Sequence, residues 1–247
     1  LHGQLNGPYS YYNSSGQVEF ESNFCMGKHH GTIKRYKLGK LWTEDQMVQD
    51  VSQGKSSTYY TNGKLERINY SIDDAREGFD VRYAPDGTWM YKQYMYHNQV
   101  VSYTYRNATG QTITTSVNQL KNSPLVAYYP SGKVAATIPM VNGMYNGKHQ
   151  LFNTDGKLLY EAEYMKDMAE GVMKSYYENG LLKEEVTKVA DERHGPYKYY
   201  YPSGKLYEAG SFYWGTEDGE WKYYDATGKL SYSLFYDKGD VYKKVTY

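Results

Sequence analysis

Glycine recurs at a nearly fixed interval along the 247 residues, and this period constrains the fold more than any other feature. Internal repeats of this length indicate an array in which each unit buries its apolar surface against its neighbours. One series has steps of 22 to 24 residues: Gly16, Gly39, Gly63, Gly87, Gly110, Gly132, Gly156, Gly180, Gly204 and Gly228. A second series lies eight or nine residues earlier in most copies: Gly7, Gly31, Gly54, Gly78, Gly147, Gly171, Gly195 and Gly219.

The residues between the glycines alternate between apolar and polar with a period of two. Leu230, Tyr232 and Leu234 share one face of such a segment, which is typical of a half-buried β-strand. Glycine supplies the positive φ that hairpin turns need. The sequence therefore predicts an all-β fold, an elongated single antiparallel β-meander of about ten tandem hairpins in one continuous repeat domain over residues 1–247. The copies start near residues 6, 30, 53, 77, 100, 123, 146, 170, 194 and 218.

One position of the repeat, five residues after the first turn position of each copy, is aromatic in nine copies of ten. We call it the aromatic column: Tyr12, Tyr36, Tyr59, Tyr83, Arg106, Tyr129, Phe152, Tyr176, Tyr200 and Tyr224. Stacked copies align such residues along a repeat array. Two interpretations stay open at this point. The rings fill the core between copies, or part of the column is an exposed binding platform.

The most regular copies carry a family resemblance. The stretch from Tyr213 to Leu230, with glycines at positions 215, 219 and 228 and with Trp221 and Tyr224 between them, resembles the variant MORN repeat. The resemblance extends over residues 6–240. It implies a single elongated antiparallel meander of hairpins with a scaffolding or binding role, and bacterial members of the family are often labelled antitoxin components. In the wider family the array contacts proteins and, in some cases, membrane lipid.

The charge balance limits the classes of partner. The chain has 28 basic residues (Lys and Arg) and 28 acidic residues (Asp and Glu). It therefore lacks the excess of basic residues that favours binding to nucleic acid or to an anionic membrane surface. No run approaches the length of a membrane span. We therefore expect no nucleic acid partner, no lipid role and no membrane span. Because the chain begins at Leu1 rather than Met, an extracytoplasmic location, periplasmic or at the cell surface, is slightly favoured over a cytoplasmic one.

The sequence shows no group of residues with the types and spacing of a catalytic or metal-binding site. The six histidines come from different copies without a shared spacing, and metal ligands need several groups that converge. Cys25 with His29 and His30 could suggest a thiolate nucleophile, although an inert, partly buried cysteine is favoured. Adjacent carboxylates such as Asp73 and Asp74 would point to opposite faces of a strand, so a solvated role is preferred. We expect no enzyme and no catalytic, cofactor-binding or metal-binding residues.

The irregular copies two to five are the predicted place of binding. The segment 111–118 is a polar strand on which Thr112 and Thr114 share a face. The candidate surface consists of Tyr83, Trp89, Tyr91, Tyr103, Thr112 and Thr114. The predicted function is a non-enzymatic repeat scaffold for protein–protein interaction. The alternative is a carbohydrate-binding surface with exposed Tyr and Trp rings, and simple drift of these copies is the competing explanation for their irregularity.

Overall fold

The computed structural model describes residues 3–13 and 16–247, and almost all of its regular structure is antiparallel β-sheet. The all-β class and the meander of hairpins are confirmed. One short helix, α1, spans Val117–Leu120. The strands are β1 (Gly7–Tyr12), β2 (Val18–Cys25), β3 (Lys28–His29), β4 (Gly31–Lys37), β5 (Lys40–Val48), β6 (Val51–Ser52), β7 (Gly54–Tyr59), β8 (Leu65–Ile72), β9 (Ala75–Arg76), β10 (Gly78–Tyr83), β11 (Trp89–Tyr96), β12 (Gln99–Arg106), β13 (Thr112–Ser116), β14 (Leu125–Tyr128), β15 (Val134–Ile138), β16 (Met140–Val141), β17 (Met144–Tyr145), β18 (Gly147–Phe152), β19 (Leu158–Met165), β20 (Met168–Tyr176), β21 (Leu182–Val189), β22 (Glu192–Tyr200), β23 (Leu206–Tyr213), β24 (Thr216–Tyr224), β25 (Leu230–Asp237) and β26 (Asp240–Thr246).

The strands are distributed over two large sheets and one small ribbon. The first sheet has the order β1-β2-β4-β5-β7-β8-β10-β11-β12-β13, with β3, β6 and β9 paired at its margin. The second sheet runs from β14 and β15 through β18 to β26, and β16 pairs with β17 alone. The chain forms two compact units, Leu1–Gln119 with Ala127–Lys133 and Leu120–Val126 with Val134–Tyr247. A single continuous repeat domain over residues 1–247 stays a prediction.

A wide hairpin turn that ends on a glycine of the ten-member series occurs within every copy except copy two, where Leu38 and Gly39 form a two-residue turn between Lys37 and Lys40. In copy nine the Tyr201 amide donates to the Lys205 carbonyl at 2.7 Å, and the Gly204 amide donates to the Tyr201 carbonyl at 2.8 Å. Gly204 has a φ of 84°, in the left-handed region that favours glycine. The register of the strands shifts directly before most members of the aromatic column, for example between Tyr199 and Tyr200, so these residues lie at β-bulges.

The sixth copy departs from the predicted column by one residue. The Tyr129 amide donates to the Lys133 carbonyl at 2.8 Å, which is the contact that opens the wide turns of other copies. Tyr128 is therefore the member of the aromatic column, and Tyr129 is a buried turn residue. The predicted column position in copy six was one residue too late, because this copy has Pro124 instead of a glycine at its first turn position.

A second series of turns joins successive copies, and each is a two-residue turn with positive φ at both positions. Asp73 and Asp74 have φ values of 50° and 64°, which is typical of a type I′ turn. The second residue of these turns is always Asp, Asn or Gly, the residue types that tolerate this conformation best. The series is Gly27, Asp50, Asp74, Asn98, Gly143, Asp167, Asp191, Gly215 and Gly239.

These two-residue turns bind one another through a ladder of hydrogen bonds. The Asp191 amide donates to the Ala169 carbonyl at 3.1 Å, and the Ala169 amide donates back to Asp191 Oδ1 at 2.7 Å. Asp74 makes the same pair of contacts with Ser52, at 3.2 and 2.7 Å. The backbone alone makes one hydrogen bond between the two turns, and the carboxylate adds the second. The predicted solvated role of Asp74 gives way to a structural one.

We expect Asp191→Ala to lower the free energy of unfolding by about 1–2 kcal/mol, because the Ala169 amide loses its acceptor. Asp191→Asn should retain most of the stability, because an amide oxygen can accept the same bond. Asn98 does so from the Arg76 amide at 2.8 Å. Urea unfolding of both variants measures the difference. Equal losses in the two would mean that the negative charge, not the acceptor, carries the effect.

The two faces of each sheet differ in composition. We call the face on which the first glycine of a copy lies the glycine face, and the other the reverse face. In the second sheet the glycine face is a buried aromatic core that includes Tyr197, Phe212 and Trp221. The reverse face carries a row of register partners with alternating charge, Glu161, Lys174, Glu185 and Lys198. Exposed ion pairs of this kind stabilise little and mainly keep the face polar.

Candidate functional site

The reverse face of the first sheet carries a cluster of exposed apolar side chains in copies three and four. We call it the aromatic patch, and its members are Tyr70, Ile72, Phe79, Tyr94 and Tyr96, which are 41–58% exposed. They lie on β8, β10 and β11, which are consecutive in the sheet. Alternation along each strand places them on one face. Contiguous apolar exposure of this kind marks interaction surfaces more often than scattered single residues do.

Cross-strand pairing shapes the aromatic patch. Phe79 and Tyr94 are register partners, and their rings meet edge to face with centroids 5.3 Å apart and an interplanar angle of 75°. The Glu77 amide donates to the Tyr70 carbonyl at 3.0 Å, which places Tyr70 beside the strand that carries Phe79. The centroids of the Tyr96 and His97 rings lie 4.2 Å apart. The patch is therefore built on paired strands rather than on a free loop.

In copies seven and eight of the second sheet, the equivalent positions carry no aromatic residue. The pair that corresponds to Phe79 and Tyr94 is Lys148 with Glu163 in copy seven and Val172 with Thr187 in copy eight. The repeat itself needs no ring at these positions, because the glycine face supplies the core. The aromatic patch is thus a local addition to the array.

Two predicted site residues do not lie on an accessible surface. Tyr91 and Tyr103 are 2% and 1% exposed, and they occupy the glycine face, opposite to Tyr94. Gln93 Nε2 donates to the Tyr103 hydroxyl at 3.2 Å within this core. The prediction for these two residues is corrected, because strand alternation turns them inward. Their rings are packing residues of the first unit.

The other predicted residues lie nearer to the surface. Thr112 and Thr114 are exposed on β13, and the Thr114 hydroxyl lies 2.8 Å from that of Thr104. Thr114 shares the reverse face with the aromatic patch, two strands away from Tyr94. Tyr83 and Trp89 are half-buried register partners at a bulge. The structure thus groups Thr114 with the patch, whereas Tyr83 and Trp89 lie towards the wide turn.

The tyrosines of the aromatic column serve a structural role where their contacts are described. The Tyr36 hydroxyl donates to Glu21 at 2.7 Å, and the Tyr176 hydroxyl donates to Glu161 at 3.1 Å, each on the neighbouring copy. Burial, with the adjacent glutamates, raises the pKa of both phenols to about 12. These phenols stay protonated at neutral pH and remain hydrogen-bond donors. Most of the column is half-buried, which favours packing between copies over an open platform.

Groups with possible chemistry are dispersed or already engaged. His29 Nδ1 lies 2.6 Å from the Ser22 hydroxyl, and its ring packs on Phe24 with centroids 4.3 Å apart. In the part of the chain that the structure describes, no three His, Cys, Asp or Glu side chains converge as a metal site requires. The described residues also include no helix with the length and apolar character of a membrane-spanning segment.

The solved structures that match the chain have low overall similarity to it. One is described as the complex TcdB2-TccC3-Cdc42, with 12% identity, a TM-score of 0.19, and coverage of 97% of this chain and 14% of that chain. Another is the Photorhabdus luminescens Tc holotoxin pore, with 11% identity, a TM-score of 0.21, and coverage of 97% and 14%. The chain therefore spans a small part of these structures. No curated protein sequence matches it.

The sequence profile described as MORN repeat variant matches six separate stretches of the chain. They are residues 5–26, 52–71, 145–166, 169–187, 193–213 and 217–238. Together they cover just over half of the chain, and each coincides with hairpin strands of the two sheets. Repeats of this family generally serve protein or membrane interaction. The chain belongs to the MORN repeat variant family.

Proposed function

We propose that this protein is a non-enzymatic scaffold that binds a protein partner, with the aromatic patch as the principal contact. The observation that carries the proposal is the patch itself: five large apolar side chains, each at least two-fifths exposed, on three consecutive strands. Aromatic residues dominate the energetic centres of protein interfaces. Membership in a family of interaction repeats supports the same assignment.

A protein partner fits the geometry of the patch better than a sugar does. A sugar ring stacks on an aromatic face that lies open and flat, with polar groups beside it. The Phe79 and Tyr94 rings instead meet at 75°, so the edge of one ring covers part of the other. Ile72 adds an aliphatic surface to the same cluster. A broad apolar surface of this kind favours side chains of a protein partner.

The non-enzymatic part of the proposal rests on what the exposed groups can do. The patch contains tyrosines, a phenylalanine and an isoleucine, and Nδ1 of the neighbouring His97 lies 3.0 Å from the Glu77 carboxylate rather than on a tyrosine hydroxyl. The phenols of Tyr36 and Tyr176, whose pKa values are raised to about 12, cannot act as bases near neutral pH. A scaffold needs neither a nucleophile nor a general base.

The test compares two pairs of variants at equivalent repeat positions. Phe79→Ser with Tyr94→Ser removes the centre of the patch, whereas Val172→Ser with Thr187→Ser changes the corresponding pair of copy eight. A partner captured from native extract by the unmodified chain is titrated against both. We expect the first variant to bind about tenfold or more weakly, since loss of interface anchors typically costs 2 kcal/mol or more.

The control pair should leave the affinity within about twofold, because exposed positions away from an interface contribute little. Both variants should keep the β-sheet circular dichroism of the parent chain. Equal affinity of the patch variant and the control variant would remove the patch as the binding site. Binding to glycans but to no protein would favour the carbohydrate alternative instead.

A further inference from the structure

The glycine face of the first sheet contains a polar hollow at copy three. Ser56 and Ser71 occupy positions that hold bulkier side chains in other copies, such as Tyr9 and Phe24 in copy one, and Asn69 is the register partner of Ser56. Ser71 pairs with the first glycine of its copy, as Phe24 does in copy one and Phe212 does in copy nine. The missing rings leave space of about 270 Å³.

The charges around the hollow cancel. Its lining includes the carboxylates of Asp45 and Asp74 and the cations of Lys55 and Arg76. Neither acidic nor basic groups therefore predominate, and the site offers no net attraction for a phosphate, a metal ion or a cationic side chain. The lining is also predominantly polar, which disfavours an apolar ligand.

The carboxylates of the hollow are already engaged within the protein. Asp45 accepts hydrogen bonds from the Ser56 hydroxyl at 2.5 Å and from Arg35 Nη1 at 2.6 Å. Asp74 accepts from the Ser52 amide at 2.7 Å, as part of the turn ladder. Asn69 and Ser71 differ: among the described residues their side chains make no hydrogen bond, although both line the hollow. An amide and a hydroxyl together offer neutral donors and acceptors.

We propose that this hollow binds one ring of a neutral sugar, held by Asn69 and Ser71, on the face opposite to the aromatic patch. A sugar ring supplies hydroxyl groups that both donate and accept, it carries no charge, and it is small enough for a hollow of about 270 Å³. The site lacks an aromatic platform for stacking, so the expected dissociation constant is about millimolar. The inference does not depend on the protein-binding function.

The test is saturation-transfer NMR on the full chain with glucose, galactose, mannose and N-acetylglucosamine as probes. We expect at least one of them to give a transfer signal. Ser71→Phe, which restores the side chain of Phe24 at the equivalent position, should fill the hollow and weaken binding tenfold or more. Asn69→Ala leaves the hollow open but removes its amide, so it should also weaken binding. It keeps the test decisive if the phenylalanine variant does not fold.

The Phe79→Ser and Tyr94→Ser pair should leave the sugar signal unchanged, because the aromatic patch lies on the reverse face. This separates failure of the sugar site from failure of the proposed protein contact. Absence of a signal for all four sugars would overturn the inference. So would a signal that persists at full strength in both Ser71→Phe and Asn69→Ala.

Discussion

Gly210→Val is expected to destabilise the second unit by more than about 3 kcal/mol, at or above the upper end of the usual cost of overpacking. A Cβ atom at position 210 would lie 2.3 Å from the Trp221 ring, which is far inside van der Waals contact. The ring cannot retreat easily, because Tyr197 and Phe212 pack against it with centroids 5.3 and 5.0 Å away. Trp221 is only 3% exposed, so a shift would disturb the core.

The matched control is Ser211→Val, which places the same side chain one residue further along β23 and on the reverse face. Urea unfolding, followed by tryptophan fluorescence and by circular dichroism, should show a large fall in midpoint for the first variant alone. The double variant Gly210→Val with Trp221→Ala should lose less than the sum of the single losses, because valine enters space that the indole vacates. Equal midpoints for the two valine variants would refute the close-packing argument.

The sequence predicted the fold because its period is carried by residues with a backbone role. Glycine at the wide turns supplies positive φ without a steric cost, as at Gly204. The two-residue turns were missed because their second position is shared among Asp, Asn and Gly, so no single letter repeats. Asp74 was therefore predicted to be a solvated carboxylate, although it bridges successive copies, as Asp50 and Asp191 also do.

The site was predicted less well, because alternation identifies two faces without saying which one is buried. On β11, Tyr91 and Tyr94 belong to opposite faces, and both are tyrosines. Only the packing of neighbouring strands determines that Tyr91 is buried and Tyr94 exposed. One residue in the sequence could have indicated the aromatic patch. Phe79 directly follows the first glycine of its copy, whereas this position is polar, charged, proline or valine in the regular copies. The contact of a partner with the middle of the array stays a prediction.

Asp80→Ala is the second substitution with a large expected effect, a loss of about 3–5 kcal/mol from the first unit. Asp80 is 1% exposed and accepts two hydrogen bonds from Arg67, one of them from Nε at 2.8 Å. The Arg67 side chain is only 19% exposed. Removing the carboxylate therefore leaves a largely buried guanidinium without its main partner, and this costs more than the pair itself contributes.

The loss should disappear in large part when both charges are removed together. Arg67→Met with Asp80→Leu replaces both buried charges with apolar side chains, so we expect stability to recover by several kcal/mol relative to Asp80→Ala. Urea unfolding of the single and double variants gives the coupling between the two sites. A double variant that is less stable than Asp80→Ala would show that packing at these positions, rather than the unpaired charge, explains the loss.

The same pair predicts how stability changes with pH. Burial alone raises the pKa of Asp80, but the hydrogen bonds and charge of Arg67, with the charges of Arg82 and Arg76, outweigh it and hold the pKa below its usual value. The folded state therefore binds this proton less readily than the unfolded chain does. The resulting stability is present above the unfolded carboxyl pKa of about 3.9 and is lost as pH falls towards the lower folded value. We therefore expect the unfolding free energies of the parent chain and of Asp80→Asn, measured from pH 6 to pH 3, to converge as the pH falls. A constant difference would mean that the shape of the Asp80 side chain, and not its charge, stabilises the fold.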